Sequence, residues 1–413
     1  MADCASPASV GDLVPSSTAP SWASTRAHAA LVQVLRVLPL DVRAHAACVC
    51  RAWRDVASDA ALQTLFCFGG SFSRTLTDAT LARLCARAGA ALQDLQLDAP
   101  ACAAVTAAGV VAALQAGGCS GLLRLTLPKA LWTPLNDNPR LMSAEAAQQL
   151  AVACPALEHA ACSVRCKRAE DVADVCTLLP GPLTLFVEGG PDAARAALQL
   201  PASVAALVME SCRLDAHCFA TLGQSLRGNA TLTTLMLRAC GVGDAGCAAL
   251  GDGLSANNTL TTLSLHYNGI GDAGATALGG ALRSHAALTS LDLSSNRIGD
   301  AGAAALSQAL RSNTKLSILD LGANAVGDMG AAALGDSLRN NSALARLSLL
   351  SNEIGNPGAI ALGESLQSNG SLKMMNLEKN FIGQAGVALL RKALRGNAGL
   401  LAPVMLQRRE QER

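Results

Sequence analysis

The sequence predicts an α/β solenoid, with parallel strands along an inner face and helices along an outer one, curved into a horseshoe and preceded by a small all-α unit. Three observations carry this. From Thr231 to Asn397 the chain repeats itself every 28 residues, so that Leu232, Leu260, Leu288, Leu316, Leu344 and Leu372 hold one position in six successive units. Within each unit the apolar spacing changes: Leu235 and Leu237 stand two apart, as on one side of a strand, and the run of Ala and Leu that follows GDAG suits a helix. Aromatic residues make up only 2% of the chain, so Leu and Ala must fill the core, which suits thin layers stacked on copies of themselves.

Each element of the unit has its own signal. Leu232 and Val242 close the core that Leu235 and Leu237 begin. Cys240, Asn268, Asn296, Asn324, Asn352 and Asn380 share the position where the chain leaves the strand, and buried amides there need acceptors. Asp244, Asp272, Asp300 and Asp328 stand at helix starts, where each is placed to cap an N-terminus; the series decays to Asn356 and Gln384, which predicts a less well capped last unit. Small residues such as Ala303, Ala304 and Ala305 allow close helix packing. Asn229, Asn257, Asn313, Asn341, Asn369 and Asn397, with His285 once, recur at the helix exit, where Asn suits a left-handed terminus. The unit resembles the leucine-rich repeat L-x-x-L-x-L-x-x-N/C-x-L. The later copies are similar to the longer ribonuclease-inhibitor class, and LTDATLARLC resembles the cysteine-containing repeats of F-box leucine-rich proteins. In that family the recurring Asn bonds to the backbone inside its turn, so the resemblance implies a structural ladder rather than a catalytic set.

Along the chain, residues 1–25 are rich in Ser, Ala and Pro and read as disordered. In residues 26–66, Leu31, Val34, Leu35 and Leu38 make one helical face that Pro39 ends, and a short helix follows from Leu40 and Asp41. Further on come Cys48-Val49-Cys50-Arg51-Ala52-Trp53-Arg54 and then Leu62, Leu65 and Phe66. On the Leu38-Pro39 step and VCRAWR this segment resembles the F-box; it lacks the second Leu-Pro that family members carry near the place of Thr25 and Arg26. The resemblance implies adaptor binding through Leu35, Leu38, Pro39, Leu40, Val49 and Trp53. Residues 67–202 read as irregular repeats, with strand-like stretches at Ala91–Leu97, Gly121–Leu127 and, as poorer copies, Ala156-Leu157 and Pro182–Val187. Regular repeats span 203–398, opening with a copy that carries Cys212 in the Asn place, and a cap and charged tail span 399–413.

Composition narrows the functional classes. The net charge of +1 gives no overall field toward nucleic acid or a membrane surface, and neither is expected as a partner. No apolar run is long enough to span a bilayer, and the N-terminus lacks the basic and apolar stretches of a secretory signal. A cytoplasmic or nuclear setting is therefore expected, and with it fifteen cysteines held as thiols, all at or before Cys247.

The inward, non-leucine strand positions vary while the scaffold repeats, as expected of a recognition surface. On it, Arg238, His266, Tyr267, Asp292, Asp320, Arg346 and Glu378 are the candidate contacts. Asp292 and Asp320 form an acidic column between Arg238 and Arg346, suited to a basic or mixed partner. No catalytic set is expected: His266 and Asp292 suggest a dyad, but no Ser is clearly placed to complete a triad, and a surface pair is the favoured reading. His159, Cys162 and Cys166 lack a fourth ligand, so no metal or cofactor is expected. GVGDAG and GIGDAG recur in the repeats and lack the P-loop lysine.

The leading expectation, implied by the F-box resemblance, is a non-enzymatic substrate receptor of a Skp–cullin–F-box ubiquitin ligase, holding an unknown target protein on the repeats. An interaction scaffold with a decayed F-box is the alternative. A leucine-rich GTPase activator fits less well, since the tail carries three arginines against two glutamates where that family has a strongly acidic tail.

Overall fold

The computed structural model describes residues 65–67, 76–97, 104–127, 138, 140–188 and 190–394. The F-box-like residues Leu35, Leu38, Pro39, Leu40, Val49 and Trp53 lie outside them, as does the C-terminal tail. Strands and helices alternate along the described chain. The first half holds β1 (Leu65–Cys67), α1 (Asp78–Ala88), β2 (Asp94–Gln96), α2 (Ala107–Gly117), β3 (Arg124–Thr126), β4 (Met142–Ser143), α3 (Ala144–Ala153), β5 (His159–Ala161), β6 (Ser163–Cys166), α4 (Ala169–Leu178), β7 (Leu183–Glu188), α5 (Pro191–Ala197), β8 (Val204–Glu210) and α6 (Ala216–Gly228). The second half holds β9 (Thr234–Arg238), α7 (Gly243–Ala256), β10 (Thr262–Ser264), α8 (Asp272–Ser284), β11 (Ser290–Asp292), α9 (Asp300–Leu310), β12 (Ile318–Asp320), α10 (Asp328–Leu338), β13 (Arg346–Ser348), α11 (Asn356–Leu366), β14 (Met374–Asn376) and α12 (Gln384–Leu394).

Every strand pair is parallel, and in the regular region each strand matches the next residue for residue: Leu235, Leu263, Leu291, Leu319, Leu347 and Met375 form one row. These residues are buried, with Leu232, Leu237 and Val242 beside them. Strands repeat every ~4.8 Å. Helix axes need about 8–10 Å. Stacking both in step therefore bends the solenoid with its strands on the concave side.

Close helix packing depends on missing side chains. A Cβ on Gly253 would stand 2.2 Å from the carbonyl oxygen of Gly223, in the preceding helix. Ala303 is fully buried between helices, while Ala304 and Ala305 are half-buried.

The irregular repeats do stack, but their ladder divides. The first sheet runs β1-β2-β3-β5, and the second runs from β14 back to β6 and then β4. The division falls within His159–Cys166: its first part pairs with β3 and its second with β4 and β7. β4, which follows β3 in the sequence, pairs with β6 in the second sheet, so the stretch His159–Cys166 contributes a strand to each sheet. The strand there is His159–Ala161, beyond the expected Ala156-Leu157.

Two turn assignments are corrected. The helix-start aspartates do not cap their own helices. Asp272, at the start of α8, accepts from the amides of Gly299 and Gly302 (2.7 and 2.8 Å), which open α9. Asp244, Asp300 and Asp328 do the same for α8, α10 and α11. Asn356 makes one such bond, to Gly383 (2.9 Å), so the last helix is the less well capped one, through Asn356 rather than Gln384. The second glycine of GDAG follows from this, since a Cβ on Gly302 would meet Asp272 Oδ1 at 2.6 Å. An early unit already uses the device: Asp78 accepts from the amide and hydroxyl of Thr106, the N-cap of α2, 28 residues on.

The helix-exit residues are extended rather than left-handed: Asn257 has φ −88° and His285 φ −71°. Left-handed backbone lies instead just before the strand-exit ladder, at Ser211, Ala239, Tyr267, Ser295, Ala323, Ser351 and Lys379, with φ between 52 and 57°. The exit asparagines form a second ladder. Asn257 Oδ1 accepts from Leu260 N (2.8 Å), and its Nδ2 donates to the Leu226 carbonyl (2.7 Å) one unit back. His285 copies only half of this: Nδ1 accepts from Leu288 N (3.1 Å), and Nε2 is buried without a partner.

Candidate binding face

The parallel register sets the concave side chains in rows. One row runs Met236, Ser264, Asp292, Asp320, Ser348 and Asn376. Two residues earlier, Thr234, Thr262, Ser290, Ile318, Arg346 and Met374 make a second row. A third, two residues later, holds Arg238, His266, Ser294, Gly322, Leu350 and Glu378.

The N-terminal part of this face carries two ion-paired arginines and a packed apolar patch. Arg238 Nε lies 3.3 Å from Glu210 Oε1, and Arg165 Nε lies 3.5 Å from Glu188 Oε1. Phe186 and Val208 face inward yet are buried, packed with Leu141 and Met236. Arg238, expected as a partner contact, also pairs with Glu210 within the protein.

Next to Arg238 the face opens into a hollow of about 390 Å³, lined by Met236, Arg238, Thr262, Leu263, Ser264, His266, Ser290 and Asp292. Asp292 Oδ2 accepts from Ser264 Oγ (2.7 Å), and Oδ1 accepts from Ser294 Oγ (2.5 Å) and Ser294 N (2.9 Å). His266 Nδ1 lies 2.8 Å from Ser294 Oγ. A serine therefore does join His266 to Asp292, which corrects the expectation of a bare pair. Ser264 and Ser294 are inner-face strand positions by sequence, but their link to Asp292 and His266 was not read there, although Ser294 stands 28 residues after His266 and two after Asp292. In a nucleophilic triad the imidazole stands between serine and carboxylate. Here the serine stands in the middle with its hydrogen directed to Asp292, an arrangement that orders the face rather than activating the hydroxyl.

Asp320 pairs with Asp292 across the strands. Its oxygen accepts from Gly322 N (2.8 Å), and burial, reinforced by the Asp292 charge, raises its pKa above the usual carboxylate range. Arg346 is exposed and Glu378 half-buried, both farther along the face. Tyr267 lies off the inner rows, in the strand-exit turn, 66% exposed and with φ 56°. It flanks the hollow from the rim, its ring centroid 6.3 Å from that of His266.

The cysteine candidates separate. His159 is exposed, while Cys162 and Cys166 are buried and their thiols are pushed up to about 12, chiefly by burial. Among the described residues no group of three His, Cys, Asp or Glu is placed to hold a metal ion, and no helix is long and apolar enough to cross a membrane. The described cysteines are free thiols.

Comparison with known proteins agrees with the repeat architecture. A Leucine Rich repeat family model matches residues 228–251, 256–279, 286–307, 312–335 and 340–363. No curated protein sequence matches the chain. Among solved structures, a chain of the yeast Rad7–Elc1 complex is similar in fold, with a TM-score of 0.51 and 15% identity over 94% of this chain and 91% of that one. The leiomodin-1 actin-binding site 2 structure matches 36% of this chain and 86% of its own, with 18% identity and a TM-score of 0.31.

Proposed function

We propose that this protein is a non-catalytic substrate receptor of a Skp–cullin–F-box ubiquitin ligase. In this reading residues 26–66 engage the Skp-type adaptor through Leu35, Leu38, Pro39, Leu40, Val49 and Trp53, and the repeats hold the target. The observation that carries the target-binding half is the concave face itself. Identical leucines build the wall, while the side chains facing inward differ from strand to strand and surround an open hollow at His266 and Asp292. A rigid surface of varied polar groups suits recognition. The adaptor half rests on the resemblance of the Leu38-Pro39 and VCRAWR segments to the F-box. It gains support from the similarity in fold to a chain of the yeast Rad7–Elc1 complex, a structure in which two proteins are bound together.

Such a receptor makes and breaks no bonds; it raises the target's effective concentration beside the ligase. The test is affinity capture from cells with the intact chain and with Leu38→Asp combined with Pro39→Ala. Adaptor and cullin are expected with the intact chain and lost with the double variant, while target capture persists. Capture of partners by both chains, with adaptor in neither, would instead favour a plain interaction scaffold with a decayed F-box.

A further inference from the structure

We propose that the helix-to-strand rim of the regular repeats, centred on Arg283, Arg311 and Lys315, is a docking surface for an acidic segment of a partner protein. This surface is separate from the concave face, and the proposal does not depend on what that face binds or on the F-box-like segment.

The two rims of the solenoid differ in charge. Where the chain passes from strand to helix, Asp244, Asp272, Asp300, Asp328 and Glu353 recur, with Arg297 and Lys379 as the cations among them. Where it passes from helix to strand, residues 227–233, 255–261, 283–289, 311–317, 339–345 and 367–373 contain no Asp or Glu. They carry Arg227, Arg283, Arg311, Lys315, Arg339 and Lys373 instead. Because every strand is parallel and in step with the next, these six segments lie side by side along one edge. The net charge of +1 for the whole chain conceals this separation.

The cations at the centre of the rim are unanswered within the protein. Arg339 meets Asp336, three residues before it, at 3.7 Å. The same places before Arg283 and Arg311 hold Gly280 and Gln308, and Arg283 donates to the neutral Gln308 Oε1 (2.9 Å). Arg283, Arg311 and Lys315 are exposed, and among the described residues none of the three has an ion pair. The negative end of each helix dipole accounts for an arginine in or beside a last turn. It does not account for Lys315, out in the connection, or for acids being absent from all six segments.

The spacing and the neighbouring side chains select the occupant. Successive helices stand about 8–10 Å apart, and an extended chain advances about 3.3 Å per residue. An extended segment with an acid at every third residue therefore keeps pace with the row. Single-stranded nucleic acid is bound by cations combined with aromatic faces on which its bases stack. None of the six segments contains Phe, Tyr or Trp, so the rim offers charge without a stacking platform.

The test measures anisotropy of labelled probes with the full chain: a peptide of repeated Glu-Gly-Ser, its Gln-Gly-Ser counterpart, and an oligothymidylate. The Glu peptide is expected to bind about tenfold or more tighter than the Gln peptide. Arg283→Ser, Arg311→Gln and Lys315→Thr combined are expected to remove most of that difference. Each replacement is the residue another unit of the same chain carries at that place, Ser255, Gln367 and Thr259, so the scaffold tolerates it. Arg297→Gln, on the opposite rim, is expected to leave the difference intact. Equal binding of the two peptides by the unaltered chain overturns the proposal, and this arm needs no variant. An equal loss with Arg297→Gln overturns the placement on this rim, and tighter binding of the oligothymidylate than of the Glu peptide overturns the choice of a protein segment.

Discussion

At the residue scale, the recurrent side chains act between units more than within them. Asn296 Oδ1 accepts from the amides of Asn268 and Ile270 in the preceding unit, and its Nδ2 donates to the carbonyls of Leu265, Leu293 and Ser294. Asn296→Ala strands several of these groups, each costing about 1–3 kcal/mol when buried, so denaturant unfolding is expected to show a loss of about 3 kcal/mol. At Cys240 a thiol occupies the same place, donating to the Arg238 and Met209 carbonyls (3.3 and 3.7 Å). The opposite change is predicted at His285, whose buried Nε2 has no partner. His285→Asn supplies the Nδ2 donor that its neighbouring rungs use and is expected to stabilise by about 1 kcal/mol. Burial also lowers the pKa of His285 below its ordinary value of 6.5. The unfolded chain therefore takes up that proton first, and stability falls as pH drops through about 6.5. Melting curves across that range are expected to be flatter for His285→Asn; an unchanged pH slope would count against the assignment.

At the element scale, helices α8 to α12 begin under the hand of the unit before each of them. Removing a cap typically costs about 1 kcal/mol. The structure assigns that cost to a particular place: Asp272→Ala should loosen the first turn of α9, around Gly299 to Gly302, and leave the start of α8 to Asp244. Amide exchange resolved along both helices distinguishes the two, and faster exchange at Gly271 and Gly274 instead would contradict the assignment. The existence of these helices was legible in the GDAG step and the Ala-Leu run that follows it. The direction of capping was not, because Asp272 opens its own helix by sequence and meets the next one only after stacking. For the same reason the contact of Ser294 with His266 was not legible: in the chain they are 28 residues apart.

At the scale of the whole molecule, stability accumulates by contact between neighbouring units, so a break in the ladder separates regions of different cooperativity. The stretch His159–Cys166 divides a four-stranded sheet from a ten-stranded one. Amides of β2 and β3 are expected to exchange faster than those of β10 to β12, measured on the intact chain. Equal protection across both sheets would show that Cys162 and its neighbours couple the two parts fully. The division itself escaped the sequence because β4 is only two residues long, Met142–Ser143, and carries no recurring leucine pattern.

By itself the sequence determined the repeat, the leucine rows, the parallel solenoid and the set of side chains that vary on its inner face. A period of 28 residues dictates these, because identical apolar positions can be buried together only by stacking unit on unit. The tertiary structure alone decided which polar groups meet: the aspartates reaching into the following helix, Ser294 between His266 and Asp292, Arg238 drawn onto Glu210, Tyr267 placed on the rim. Such pairings depend on spacings of a few ångströms between residues one repeat apart. A periodic sequence names the rows but not the hydrogen-bond direction across them.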